Sequence, residues 1–155
     1  MNKLDKRELS YQIQALFRND WRLKQLDVSC QTGEEPILDQ DGFEAIAEGL
    51  KNNTTLTHLN LSGNATTDAD LEYLVRKLCH NKKLQSLNLA NTQITAQGLE
   101  ALVALMFFNT QIVELNLSGI PALQDNKSAR SLSVIKQALV NNRERLSEKR
   151  LELVA

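Results

Sequence analysis

Residues 56–64, LTHLNLSGN, decide the fold because their leucine pattern returns twice downstream at a constant distance. Positions one, four and six of this stretch are apolar, and so are the same positions of segments that begin 28 residues later each time. A fixed period of about 20–50 residues marks stacked units, each too small to bury its own apolar face. The matching positions are Leu56, Leu59 and Leu61, then Leu84, Leu87 and Leu89, then Ile112, Leu115 and Leu117.

Each unit combines a strand pattern with a helix pattern. Positions four and six alternate with polar residues, as a strand with one buried face requires. Between the strands, apolar residues follow the three-and-four spacing of one helix face. A strand, a helix and a second strand in the same direction form a crossover, so the pattern predicts an α/β fold with a parallel sheet on one face and helices on the other. The helix positions are Phe43, Ile46 and Leu50, then Leu71, Leu74, Val75 and Leu78, then Leu99, Leu102, Val103 and Met106.

Asparagines mark the helix ends. Asn53, Asn81 and Asn109 each stand three residues before the next strand pattern, and Gly98 lies near the start of the third repeat helix. Over about residues 21–142 the chain resembles the leucine-rich repeats of the long, ribonuclease-inhibitor type, in which each unit is a strand and an α-helix. The resemblance implies a short solenoid that binds a protein partner.

The family position after the strand is usually Asn or Cys. It is Asn64 in the second unit, but Gln31, Thr92 and Ile120 in the others. A continuous ladder of buried asparagines is therefore not expected at this position.

The chain is expected to form a single leucine-rich-repeat domain over residues 1–155. Residues 1–20 form an amphipathic N-terminal cap helix, and residues 21–142 form about four repeats, the first with strand positions Leu23, Leu26 and Val28. Residues 143–155 are expected to form either a C-terminal cap helix or an irregular fifth strand, which leaves a sheet of four to five strands. Trp21, at the junction of cap and first repeat, is interpreted as a seal between them or as a binding anchor.

Two connections depart from the regular spacing. Residues 32–39, TGEEPILD, hold the five-residue excess of the first repeat and are either a contact site or a solvated loop. Residues 118–130 form a long loop after the fourth strand, where Pro121 is expected to block early helix formation.

The charge, the apolar runs and the cysteine count of the chain argue against several classes of function. The formal net charge is −1 with a pI near 6.1, which gives no general attraction to nucleic acid or to an anionic membrane. The apolar run 101–108 is far shorter than the roughly 20 residues of a membrane-spanning helix. Two cysteines do not make a disulfide framework, so we expect a cytoplasmic protein, or one exported without a cleaved signal, such as a bacterial effector acting in a host cell.

The register predicts which side chains face outward from the sheet. They are polar and include no activated nucleophile, and we expect neither an enzyme nor a metal or other cofactor. Ran GTPase-activating proteins use a similar repeat, and the resemblance implies a catalytic arginine after a strand, but the first three such loops here contain no arginine. His80, at a helix end, is expected to contact terminal carbonyls. The outward positions are Gln25, His58, Ser86 and Glu114 in one row and Asp27, Asn60, Asn88 and Asn116 in the other.

These features favour a protein-interaction module that binds a protein partner through the sheet face and the adjoining loops. Such a sheet offers about 250–350 Å², whereas a standard interface buries about 800 Å² on each partner. The loops 32–39 and 118–128 are therefore expected to contribute. The alternative is a structural domain that self-associates through the C-terminal region, where Leu146, Leu151 and Leu153 are candidates for exposure.

Overall fold

Parallel strands form one side of the molecule and α-helices form the other. The structure, a computed structural model, describes residues 5–31 and 34–152, and the side chains within this range up to Lys149. Residues 1–4 of the expected cap, Thr32 and Gly33 of the acidic loop, Leu153 and the side chain of Leu151 lie outside the described part. The elements are α1 Lys6–Phe17, β1 Gln25–Asp27, α2 Gln40–Lys51, β2 His58–Asn60, α3 Asp68–Leu78, β3 Ser86–Asn88, α4 Ala96–Phe108, β4 Glu114–Asn116 and α5 Ala129–Glu152.

The sheet has the order β1-β2-β3-β4, and all its pairings are parallel. Its central leucines align across the strands, with Leu26 opposite Leu59 and Leu59 opposite Leu87. These three side chains are at most 2% exposed, whereas Leu115 of the edge strand β4 is half-buried. The predicted α/β architecture is confirmed, and the described residues contain four strands.

The core is built from the repeated leucines. Position one of the pattern, Leu56, Leu84 and Ile112, is fully buried, and the helices contribute leucines at the predicted spacing. A fully buried side chain of this size contributes about 1.5–3 kcal/mol. The packing between successive repeats therefore stabilises each unit, because no unit encloses a core of its own.

The helix of each of the first three repeats starts at a polar side chain that caps its N-terminus. Asp39, Thr67 and Thr95 cap α2, α3 and α4, and each accepts a hydrogen bond from a backbone N–H of the first turn. Thr67 and Asp70 form a capping box. Asp68 also accepts hydrogen bonds from the backbone N–H and the hydroxyl of Thr95 in the next repeat, at 2.8 and 2.5 Å. The start of α3 is thus tied to the start of α4.

Helix α5 continues through the position where the earlier helices turn into strands. It runs over Ala129–Glu152, so residues 143–152 are helical and do not form a fifth strand. The Nε of Arg143 donates to the carbonyl of Val113 at 2.9 Å. In the preceding units, the equivalent carbonyl of Lys24 accepts backbone N–H groups of the next strand. The arginine side chain thus occupies one hydrogen-bonding position at the open edge of the sheet.

Three local expectations are wrong. Trp21 is 69% exposed and does not seal the cap; Leu9 and Leu16 of α1 do so. Pro121 does not prevent helix formation, because it opens a short 3₁₀ helix, Pro121–Gln124, where its missing N–H costs nothing. The ring Nδ1 of His80 contacts the thiol of Cys79 at 2.9 Å.

Candidate functional site

Two rows of polar side chains cross the outward face of the sheet. Strand pairing places Gln25, His58, Ser86 and Glu114 in one row, and Asp27, Asn60, Asn88 and Asn116 in the other. Asn60, Ser86 and Asn88 are partly buried and the other five are exposed. The structure therefore brings all eight side chains onto one continuous surface.

The asparagine row also has a local structural task. The Oδ1 of Asn60 accepts the backbone N–H of Ser62 at 3.1 Å, and Asn88 and Asn116 bond in the same way to the residue two positions later. Asp27 does the same with Ser29 at 3.0 Å. Such side-chain turns replace the backbone pairing that ends with the strand. The carboxylate of Asp27 shows that an amide nitrogen is not required for this task.

The amide nitrogens of this row remain free. Within residues 5–31 and 34–152, the Nδ2 groups of Asn60, Asn88 and Asn116 take part in no hydrogen bond. Neighbouring strands lie about 4.8 Å apart, so the three amides form a closely spaced line of hydrogen-bond donors. The sheet face can therefore bind carbonyl or carboxylate oxygens without first breaking internal bonds.

His58 is oriented by its neighbour Thr57. The Thr57 hydroxyl donates its one proton to the carbonyl of Lys24 at 2.9 Å. The ring Nδ1 of His58 lies 2.8 Å from the same hydroxyl oxygen and therefore carries the proton of that contact. In the neutral ring, Nε2 is left as an acceptor on the exposed face.

A second set of asparagines forms a buried ladder at the edge where helices turn into strands. Asn53, Asn81, Asn109 and Asn142 are at most 3% exposed. The Nδ2 of Asn53 donates to the carbonyl of Leu16 in α1. The Nδ2 of each of the other three donates to two carbonyls of the preceding unit, as Asn81 does to Leu50 at 2.6 Å and to Asn53 at 3.3 Å. The sequence identified Asn53, Asn81 and Asn109 as helix ends but not as a ladder, and the 28-residue period of these three was the available signal. After the strands, by contrast, only Asn64 occupies the family position, as expected.

The two irregular loops are packed more closely than their composition suggests. In the first, the Cys30 thiol donates to the carbonyl of Glu34 at 3.4 Å. The pKa of Asp39 is lowered, chiefly because the Gly42 N–H donates to its carboxylate, with a further contribution from Lys6. In the second, Ile120 and Ala122 are buried. Residues 34–39 of the first loop and the second loop therefore offer defined surfaces beside the sheet.

The clearest electrostatic cluster lies on the helix side. The pKa of Glu48 is lowered because the Lys77 ammonium and the Tyr73 hydroxyl both bond to its carboxylate, and the same contacts raise the pKa values of Lys77 and Tyr73. The Tyr73 hydroxyl donates at 2.6 Å. These bonds join α3 to α2 and lie away from the sheet face.

An apolar groove between α4 and α5 has no counterpart among the predictions. It holds about 390 Å³ and is lined in part by Val103, Met106, Phe107 and Val134. Phe107 is 75% and Phe108 66% exposed. The sequence placed Met106 on the buried helix face, but the two phenylalanines lie off that face.

The described residues, 5–31 and 34–152, contain neither a metal-ligand cluster nor a membrane-spanning helix. No group of three or more His, Cys, Asp or Glu side chains is arranged to hold a metal ion. No helix in this part is long and apolar enough to cross a membrane.

Comparison with known proteins agrees with the repeat architecture. A family model described as "Leucine Rich repeat" matches residues 52–75 and 80–103. Comparison with curated protein sequences gives no significant match.

Solved structures share the fold at low sequence identity. The actin-binding site 2 of leiomodin-1 matches with a TM-score of 0.76 and 18% identity, over 93% of this chain and 94% of that one. The tropomodulin C-terminal domain of Caenorhabditis elegans matches with a TM-score of 0.62 and 14% identity, over 94% and 99%. The 28-residue period, the parallel sheet and the family match over residues 52–75 and 80–103 together show that this chain has a leucine-rich-repeat fold.

Proposed function

We propose that the chain is a protein-interaction module whose sheet face and adjoining loops bind a protein partner. The free amide nitrogens of Asn60, Asn88 and Asn116 carry this proposal, because three donors in line on the sheet face lack internal partners. The exposed Nε2 of His58 and the carboxylates of Asp27 and Glu114 add acceptors to the same surface. A partner that offers both carbonyls and N–H groups would match this mixture.

The area of the sheet requires the loops to contribute. A face of about 250–350 Å² is well below the roughly 800 Å² that each partner buries in a standard interface. The described part of the 32–39 loop and the 118–128 segment lie at the ends of β1 and β4, where they extend the surface. Their packed backbones reduce the entropy that would be lost on binding.

Actin is the first partner to test. The leiomodin-1 domain with the same fold is described as an actin-binding site. At 18% identity this likeness concerns the fold, so transfer of the partner to this chain is part of the proposal.

The decisive variant removes the amide donors and keeps the turns. Changing Asn60, Asn88 and Asn116 together to aspartate retains the Oδ1 acceptors, as Asp27 does naturally. We expect at least a tenfold loss of affinity for monomeric actin, because each donor is lost and negative charge faces the partner's acceptors. Sedimentation velocity or anisotropy with labelled actin measures the change.

Two controls complete this experiment. The Ser133→Asp and Gln137→Asp variant adds negative charge on the exposed face of α5 and should leave the affinity within about twofold. If actin binds neither form, affinity capture with the wild type and the triple variant in parallel tests the surface itself. Partners retained equally by both proteins would contradict the sheet-face proposal.

The alternative of self-association through the C-terminal region has weaker support. Helix α5 extends past β4, and Arg143 occupies the Val113 carbonyl at the sheet edge. Leu146 is partly buried, and Leu117 of the edge region is packed against the core. An edge that carries a charged side chain is a poor template for pairing with a second copy.

A further inference from the structure

Charges are divided between the two edges of the sheet although the chain is nearly neutral. We define the basic edge as residues 18–24, 51–57, 79–85, 109–113 and 143–145, where each helix ends and the next strand begins or would begin. Asp20 and Glu144 are its acidic residues. The opposite edge, where strands lead into helices, carries two basic residues, Lys127 and Arg130, against the acidic residues Glu35, Asp39, Asp41, Asp68, Asp70 and Asp125. The basic edge exposes Arg18, Arg22, Lys24, Lys51, Lys82, Lys83, Arg143 and Arg145.

Helix dipoles explain part of this division. Cations near a helix C-terminus and anions near an N-terminus are each favoured by about 0.3–1 kcal/mol. Lys51 lies in the last turn of α2 and fits this account. Arg22, Lys24, Lys82 and Lys83 lie beyond the helix ends, where the effect has decayed. Their clustering therefore needs another reason.

The basic edge carries an exposed aromatic side chain in the connection between α1 and β1. Trp21 is 69% exposed, and the Arg22 guanidinium lies 5.4 Å from its ring centroid. Tryptophan and arginine are the residue types most enriched at the energetic centres of protein interfaces.

The turn that presents Trp21 is held in place by its neighbours. Asn19 adopts a φ of 53°, and its Oδ1 accepts the backbone N–H of Thr54 at 2.7 Å. The carboxylate of Asp20 accepts the backbone N–H of Arg22 at 2.9 Å. These bonds fix the backbone on either side of the tryptophan. Little backbone conformational entropy is therefore lost when a partner buries the ring.

We propose that the basic edge, with Trp21 as its anchor, docks an acidic protein surface that carries an apolar stripe. Charge complementarity sets the sign of the partner, and the exposed indole ring requires apolar contact. A protein is favoured over a nucleic acid because the net charge is −1 and the opposite edge is acidic, so a long polyanion meets repulsion at the edges of its footprint. This surface is separate from the amide row and extends the proposed function.

The chain provides its own reporter for this docking. Trp21 is the single tryptophan, so its fluorescence reports burial of the anchor directly. The probes are synthetic acidic peptides that form helices with one Leu and Phe stripe, and poly-glutamate serves as a charge-only comparison. We expect the peptides to shift the emission to shorter wavelength and poly-glutamate to leave it unchanged.

Matched variants separate the anchor from general electrostatics. Trp21→Ala should weaken binding of fluorescein-labelled peptide about 30-fold, as loss of an interface anchor does. Lys82→Glu with Lys83→Glu should weaken it about tenfold, whereas Lys127→Glu with Arg130→Glu, the same charge change on the opposite side, should change it less than twofold. The Asn60, Asn88 and Asn116 aspartate variant should bind the peptides as the wild type does.

Three outcomes would overturn the proposal. They are no emission shift with any peptide, equal effects of the two double charge reversals, and tighter binding to duplex DNA or to phosphatidylserine vesicles than to the peptides. Thermal unfolding of each variant shows whether it is folded, and Trp21→Phe provides a second anchor variant with smaller structural change.

Discussion

Replacing Asn81 by alanine is expected to lower the free energy of unfolding by about 3–5 kcal/mol. Its side chain makes four hydrogen bonds: Nδ2 donates to the carbonyls of Leu50 and Asn53, and Oδ1 accepts the backbone N–H groups of Lys83 and Leu84 at 2.8 Å. The residue is 2% exposed, so alanine would leave these groups buried without partners. The loss is large against a typical total of about 5–15 kcal/mol.

Asn52 is a matched control for this variant. It is exposed, belongs to the same class of helix-end asparagines and makes no side-chain hydrogen bond within the described residues. Asn52→Ala should therefore change stability by less than about 0.5 kcal/mol. Urea unfolding followed by circular dichroism measures both variants, and similar losses would show that the ladder does not stabilise the solenoid.

Gly63→Ala is expected to cost about 3 kcal/mol or more. The φ of Gly63 is +74°, a left-handed conformation that disfavours a side chain. A Cβ at this position would also lie 1.7 Å from the carbonyl oxygen of Cys30. That oxygen belongs to the backbone of the neighbouring unit, so the two repeats must separate to admit a methyl group.

Gly119 distinguishes the effect of this contact from the effect of φ. Its φ is +73°, but a Cβ there would meet the side-chain oxygen of Asn91, which is exposed and can rotate away. Gly119→Ala should therefore cost about 1–2 kcal/mol, the ordinary penalty of the left-handed conformation. Chemical unfolding of the two variants gives the comparison, and a Gly63→Ala loss no larger than that of Gly119→Ala would contradict the proposed clash.

The architecture could be predicted from the sequence because the same repeat period determines the core positions and the pairing of the strands. Leu59 and Leu87 share a position in the pattern, face the same core and pair directly in the sheet. Apolar side chains recur every two residues in a strand and every 3.6 residues in a helix. When segments of these two kinds alternate at constant spacing along the chain, few chain topologies are possible. The outward positions of the sheet followed from the same register.

The roles of individual polar residues were harder to predict from the sequence. Asn81 and Asn88 are identical in type and seven residues apart, yet one is 2% exposed and bonded on both sides while the other faces outward with a free amide nitrogen. Both side chains accept the backbone N–H two residues away, but only Asn81 also donates to carbonyls of the preceding repeat. Local sequence does not encode which contact forms, because this depends on how adjacent repeats stack.

Trp21 was misjudged for a related reason. A seal between cap and repeat was one of the two interpretations of Trp21, because aromatic side chains bury a large apolar area. Leu16 already fills the position next to Gly49, since a Cβ on that glycine would lie 2.6 Å from a leucine methyl. The space is therefore occupied, and the tryptophan remains outside.

The central claim is that asparagines of one type serve two purposes, as a buried ladder that joins the repeats and as a row of free donors on the sheet. Exchange of the side-chain amide protons, measured by NMR for each asparagine in the isolated protein, tests this claim most directly. The amides of Asn53, Asn81, Asn109 and Asn142 should be strongly protected, and those of Asn60, Asn88 and Asn116 should exchange rapidly. Protection of the sheet-face amides in the absence of a partner, or rapid exchange throughout the ladder, would contradict the account.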